Sequence, residues 1–288
     1  MLSGPVAAAK AITSYIQLEA PPRSLNDVLR QIIEVENSVD ALEAADIAQR
    51  WLARFESRVR HELNEAEQDG VALCYGFNSA NPDYVQGACF VEGGDTEAVR
   101  AEKAARAKQE RYLEFYEQLN PVRFERLCGK VLGLLAVEEP HVTRASADQG
   151  VDFFGRLPFG TLLTPRHIPA GAEKQLSAWL VGQAKHYVRT SVSTKDIREL
   201  VGSVLLARSK TYAGHADPLA ELDIRVCDPV VYFFVTTGRF TRDSRDLLRK
   251  SGVVAMDGLQ LSVFLADNLA AQGGGELTVE AIADWLDK

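Results

Sequence analysis

The stretch "PVVYFFVTTG", residues 229–238, is apolar on both of its alternating sets of side chains. Side chains alternate across a strand, so a strand with no polar face has no side to offer water. It belongs in the middle of a sheet covered on both faces, the usual setting of strands joined through helices. The surrounding patterns agree. "VRFERLCGKVLGLLAV" sets Phe124, Leu127, Val131, Leu134 and Leu135 on one side of a helix. "HVTRAS" and "VDFFGRL" read as short strands joined by the turn "ADQG", and "LVGQAKHYV" as a third strand. "STKDIRELVGSVLLARSK" reads as a helix capped by Ser193 and Asp196, with a buried stripe of Ile197, Leu200, Val201, Val204 and Leu205. "TRDSRDLLRKSG" and "LQLSVFLADNL" are helices around a short strand, "VVAMDG". The expectation from Pro121 onward is an α/β fold.

The first third differs. "SLNDVLRQIIEVENS" opens on Ser24 and Asp27, close to a capping box, and carries apolar residues at helical spacing. "ALEAADIAQRWLARFESRVRHELNEAEQ" predicts a longer helix ending before Gly70. "GVALCYGFNSANPDYVQGACFVEGG" predicts a hairpin around "NSANPD". From Asp95 to Leu119 the pattern predicts one charged helix, with Glu102 and Arg106 paired four residues apart and apolar residues gathered late. Asn120 and Pro121 mark a break. The organisation expected is a mainly helical accessory domain with a small β-hairpin over 1–117, an α/β domain over 118–270 and a helical tail over 271–288.

The chain has 288 residues and a formal net charge of −8. The charge is uneven: residues 1–117 hold 12 basic and 20 acidic side chains, 118–270 hold 19 and 16, and 271–288 hold 1 and 4. The middle is therefore mildly basic and compatible with phosphate contacts, whereas the acidic first third argues against nonspecific nucleic-acid binding there. Cys74, Cys89, Cys128 and Cys227 form no CxxC pair and have no His at zinc-ligand spacing. Free thiols in a reducing cytoplasm are the expectation, with a Cys74–Cys89 bridge geometrically open. No apolar run approaches the ~20 residues that span a bilayer, and the N-terminal segment reads as no signal peptide.

Polar residues interrupt the apolar elements at particular places. In "WLVGQAKHYVR", Gln183 and Lys185 are two apart and share a face, while Ala184 and His186 point the other way. An unpaired buried ammonium is costly, so something polar should face Lys185. Asp152 lies in the preceding strand, expected on the face of Phe154, and Glu125 lies in the helix before it. Carboxylates and an amide oxygen suit a hard divalent cation, and a lysine can stabilise a phosphate under attack or orient water.

This arrangement resembles the PD-(D/E)XK nuclease superfamily, and more closely the Mrr-like restriction endonuclease family. The resemblance is carried by "RFERLCGKVLGLLAV", "VTRASADQGVDFFGRL", "GQAKHYVRTSVSTKDIRELVGSV" and "YFFVTTGRFTRDS", in the family's order from about Leu119 to Leu269. It implies a restriction-endonuclease-like core, a mixed central sheet flanked by helices. It further implies Asp152 as a metal-binding acid, Gln183 where the superfamily usually has an acid, Lys185 as the catalytic lysine and Glu125 as the acid of the first helix. Mg²⁺ or Mn²⁺ as cofactor, DNA as partner and a role in restriction or defence follow from the same resemblance. The segment "PFGTLLTPRHIPAGAEKQLSA" is longer than a simple hairpin connection, a departure that would shape substrate entry.

Plainer readings stand beside these. Lys185 alone reads as a snorkelling lysine at a strand end, Glu125 as a solvated helix residue and Asp148 as a turn residue. His186 reads as a packing histidine and His141 as a loop residue. Thr237, Arg239 and Arg242 precede or open a helix whose N-terminus suits a phosphate, and Arg189, Thr190 and Lys195 are further backbone-contact candidates. The leading expectation is a Mg²⁺-dependent endonuclease acting on duplex DNA, and RNA or single strands are less favoured for want of an aromatic platform. The competing reading is a nuclease-like module that binds DNA or protein without cutting. Double-strand cutting suggests a homo-oligomer, and the acidic first third suggests contact with a protein partner or a second copy.

Overall fold

The computed structural model describes residues 2–143, 150–159, 176–187, 190–211, 219, 221–269 and 278–288. The chain divides into two compact units, Met1–Lys108 and Gln109–Lys288.

The first unit contains α1 (Pro5–Ala11), β1 (Arg23–Ser24), α2 (Leu25–Asn37), α3 (Ala41–Gln68), β2 (Tyr75–Phe77), β3 (Tyr84–Gly87) and α4 (Glu97–Arg106). Ser24 caps α2 by accepting from the Asp27 N–H at 3.1 Å, and Asp40 caps α3 by accepting from Leu42 and Glu43. Leu29, Ile32 and Ile33 of α2 pack with Ala44, Ala48 and Phe55 of α3 in one core. The expected hairpin forms, with Asn78 Oδ1 accepting from the Ala80 and Asn81 N–H groups at its turn, and β1 adds a third antiparallel strand.

The charged helix expected over 95–119 is two helices. Glu102 and Arg106 pair in α4 as expected. The late apolar residues form α5 (Gln109–Glu117), and Tyr112, Phe115, Tyr116 and Leu119 are buried in the core of the second unit. The division accordingly falls after residue 108 rather than 117, because burial of those four side chains assigns α5 to the later unit.

The second unit continues with α6 (Pro121–Leu134), β4 (Glu138–Val142), β5 (Phe153–Pro158), β6 (Ser177–Lys185), β7 (Ser191–Val192), α7 (Thr194–Arg208), β8 (Val230–Thr236), β9 (Arg239–Phe240), α8 (Arg242–Ser251), β10 (Val254–Met256), α9 (Gly258–Leu269) and α10 (Val279–Asp287). Its five-stranded sheet has the order β10-β8-β6-β5-β4. The β10, β8 and β6 strands run parallel, while β5 and β4 join antiparallel, so the sheet is mixed as expected. Ala184, Phe233 and Val235 face one core with residues of α5, α6, α9 and α10. Val181 and Phe234 face the other with residues of α7 and α8. The tail helix is part of this unit, since Ile282 and Leu286 are buried in the first of these cores. The expected break at Asn120 and the expected cap at Ser193 both appear as helix caps. Asn120 accepts from the Arg123 N–H at 2.9 Å, and Ser193 with Asp196 forms a capping box at α7.

All four cysteines are free thiols, including Cys74 and Cys89. No helix among the described residues is long and apolar enough to cross a membrane.

Candidate active site

The site is built at one end of the sheet. β6 and β8 run parallel and both end there, while the antiparallel β5 begins there. Lys185 is the last residue of β6, and Asp152 immediately precedes β5. α6 also starts at this end, because Phe124 lies against the His186 ring with centroids 5.7 Å apart. Glu125 follows Phe124 and is half-buried.

Asp152 enters through a bulge. Its N–H donates to the Gly182 carbonyl at 2.9 Å, yet the register partner of Gly182 is Phe153. Two residues thus oppose one, which slips the alternation by a step. Val151 and Phe154, three apart, pack in the same core, while Phe153 packs in the other. The expectation that Asp152 shares a face with Phe154 is corrected accordingly. The Asp152 carboxylate instead accepts from the Ala184 N–H at 2.7 Å, at the residue between Gln183 and Lys185. Its backbone carbonyl is held by the Thr143 N–H at 2.9 Å.

The Cys128 thiol reports on the acids. It is pushed well up by burial, and then by the negative charges of Asp152 and Glu125. Both carboxylates therefore stand within electrostatic reach of one buried sulfur on α6.

Gln183 and Lys185 turn to the other helix. Gln183 is fully buried. Its amide is best satisfied with the oxygen accepting from Lys185 Nζ at 3.2 Å and the nitrogen donating to the Asp196 carbonyl at 3.3 Å. In that orientation the amide expected as a metal ligand turns its oxygen to the lysine. Lys185 Nζ also lies 4.0 Å from Glu199 Oε1, on α7. Burial works against the Asp196 charge, but hydrogen bonds from Ser193 and Tyr187 and the nearby Lys185 ammonium hold its carboxyl below the usual value. Sequence reasoning did not single out Glu199 as a neighbour of Lys185.

Ala184 and His186 point opposite to Gln183 and Lys185, as alternation requires. His186 is a packing histidine, with its Nδ1 3.0 Å from Thr237 Oγ1. Burial lowers its pKa, against a backbone hydrogen bond at Leu119 that raises it. His141 lies in β4 rather than a loop. It stacks on Phe154 with centroids 5.2 Å apart and pairs with Glu221 at 2.8 Å.

The phosphate-contact candidates divide. Lys195, Arg239 and Arg242 are exposed at this end of the sheet. β7 pairs in parallel with β9, joining Ser191 to Arg239 and zipping together the segments that follow β6 and β8. Thr237 is already engaged by His186. The α8 N-terminus is capped by Thr241, which accepts from the Ser244 N–H at 3.2 Å. Arg189, Asp148 and the "ADQG" turn up to Gln149 lie outside the described residues, as does most of the long connection before β6.

Among the described residues, no three His, Cys, Asp or Glu side chains gather closely enough to hold a metal by themselves. The donor set still fits a hard cation in type. The Asp152 and Glu125 carboxylates both act on the Cys128 sulfur, and the remaining positions of such an ion are commonly filled by backbone oxygens and water.

The comparisons with known proteins bear on this same segment. Residues 116–213 match the family model Mrr_cat, restriction endonuclease. The Mrr-like resemblance read from the sequence stands for this segment, which runs from the end of α5 through α7. No curated protein matches the chain. Among solved structures, it is similar to the MspJI restriction endonuclease in complex with a 27-mer oligonucleotide, at 20% identity and a TM-score of 0.42 over 69% of this chain and 40% of that one. The DNA modification-dependent restriction endonuclease AspBHI is matched at 17% identity and a TM-score of 0.38, over 73% of this chain and 46% of that one. Restriction endonuclease FokI bound to DNA is matched at 10% identity and a TM-score of 0.34, over 97% and 47%. The chain spans less than half the length of each.

Proposed function

We propose that this protein is a metal-dependent endonuclease that hydrolyses DNA phosphodiester bonds, serving restriction or defence against foreign DNA. The observation that carries the reading is the Asp152 carboxylate seated on the Ala184 N–H, between Gln183 and Lys185, inside a segment that matches a restriction endonuclease family.

In this reading Asp152 and Glu125 hold the cation. When bound, Mg²⁺ or Mn²⁺ supplies Lewis acidity toward the scissile phosphate and makes a water more acidic. Lys185 holds its ammonium toward the phosphate oxygens, where negative charge develops during attack. Gln183 orients Lys185 by accepting from its Nζ. Lys195, Arg239 and Arg242, with Arg189 and Thr237, contact the DNA backbone. The first unit serves recognition, control or self-association, and a homo-oligomer supplies the second active site that double-strand cutting calls for.

Plasmid cleavage with Mg²⁺, with Mn²⁺ and with chelator tests the reading, with Asp152→Ala and Lys185→Ala as controls. Metal-dependent nicking that both substitutions abolish supports it. DNA binding without cleavage in every metal would establish the non-cutting module instead.

A further inference from the structure

We propose that Glu199 on α7 carries the negative charge that Gln183 leaves out on β6, and that it positions Lys185 for the reaction. This rests on the nuclease reading and adds to it a residue outside the motif.

Three observations meet at this side chain. The first is a charge imbalance on β6. The Lys185 side chain is only 25% exposed, and an ammonium withdrawn from water needs a counter-charge. Its strand neighbour on the same face is a neutral amide. The second is proximity: Glu199 Oε1 lies 4.0 Å from Lys185 Nζ, the ammonium that the Gln183 amide oxygen faces at 3.2 Å. Asp196, one turn earlier on α7, spends its own carboxylate on the Ser193 cap and the Tyr187 hydroxyl, which leaves Glu199 as the less committed acid. The third is the approach of the Asp152 segment. Gly150 has φ +72°, and a Cβ there would lie 2.3 Å from Ser203 Oγ and 3.6 Å from Glu199 Cγ. One helical turn of α7 thus meets both the lysine strand and the segment that delivers the aspartate.

The Glu199 side chain remains 43% exposed. At 4.0 Å it attracts the ammonium without closing a hydrogen bond, so Lys185 is oriented while keeping donors for a phosphate. A carboxylate on the strand itself, at position 183, would perform the same task from the place where the Gln183 amide oxygen lies 3.2 Å from Lys185 Nζ.

The test is single-turnover cleavage by the full chain, alongside DNA affinity and thermal melting, for Glu199→Gln, Gln183→Glu and the double substitution Q183E/E199Q. Glu199→Gln should slow cleavage about 10–100-fold, the range for residues that orient a reactive group, while DNA affinity and melting hardly change. Q183E/E199Q returns the charge to the strand and should recover most of the lost rate. A Glu199→Gln rate equal to wild type overturns the inference, as does a slow single variant that the double substitution fails to rescue. Should Glu199→Gln not fold, Glu199→Asp keeps the charge but shortens its reach, and an unaltered rate there overturns the inference equally. If wild type cuts and Asp152→Ala does not, an unaffected Glu199→Gln defeats Glu199 alone. A wild type that never cuts defeats the nuclease reading and this inference with it.

Discussion

At one end of β6, Trp179 donates its indole N–H to Asp228 at 3.3 Å, and Arg225 closes on the same carboxylate through its Nε at 2.9 Å and its backbone N–H at 3.0 Å. These hydrogen bonds, led by the Arg225 side chain, hold the Asp228 carboxyl down at about 2. At the other end, Lys185 meets its counter-charge only at 4.0 Å. Both ends place ionic groups beside an apolar strand, and a cleft of about 690 Å³ lined by Trp179, Arg225, Asp228, Glu221 and His141 even opens at the first. The difference is satisfaction. Around Asp228 the charges answer one another, which fits a structural role. Around Lys185, among the described residues, the nearest carboxylate stands off at 4.0 Å, which fits a side chain that keeps donors for a ligand.

The largest effect should come from breaking the open end. Lys185→Ala or Asp152→Ala should lower the cleavage rate by on the order of 10³-fold with a nearly unchanged melting temperature, read by plasmid nicking and calorimetry. The closed end should behave inversely. Asp228→Asn should cost about 2 kcal/mol of stability and leave the rate per folded molecule intact. The sign of its pH dependence follows. The folded Asp228 carboxyl lies below its unfolded value, so its stabilising contribution is complete above the unfolded pKa. That contribution is lost as pH falls from there through about 2. An acid titration of the melting temperature should show this loss in wild type and not in Asp228→Asn.

Gly150→Ala blurs the two classes. It forces a left-handed residue and a clash with Ser203, so about 1–2 kcal/mol of stability should go together with a fall in cleavage. Equal activity with lower stability would show that the Asp152 segment tolerates displacement. The smallest effect concerns His186. Burial sets its folded pKa below the unfolded value, so its contribution is full above that unfolded value and declines as pH falls below it. His186→Asn should flatten the decline of melting temperature between roughly pH 7 and 5, the range around an ordinary histidine pKa.

What the sequence made legible were local signals. The apolar run of β8, the Ser193–Asp196 cap and the Asn120–Pro121 break each act through residues a few positions apart, and each appears where expected. The face shared by Gln183 and Lys185 follows from alternation alone. What stayed hidden depends on distant partners. Nothing local marks the bulge at Asp152, because it is defined by which residues face Gly182. Glu199 sits on a helix face that reads as solvated, and only the fold brings Gln183 and Lys185 to it. β4, "EEPHV", holds two acids and a proline, tolerable because it is an edge strand. The split between α4 and α5 has no Gly or Pro to announce it and follows from which core buries Tyr112 and Phe115.

The parallel pairing of β6 with β8 also bears on how the molecule is made. The Thr236 hydroxyl bonds the Lys185 carbonyl across 51 residues of chain, so this contact closes a long loop before it gives anything back. During synthesis the β5–β6 pair emerges first and waits with one bare, apolar edge. Until β8 arrives that edge is an invitation to self-association, and expression at lower temperature or slower translation near residues 186–229 should decide how much of the protein reaches its native state.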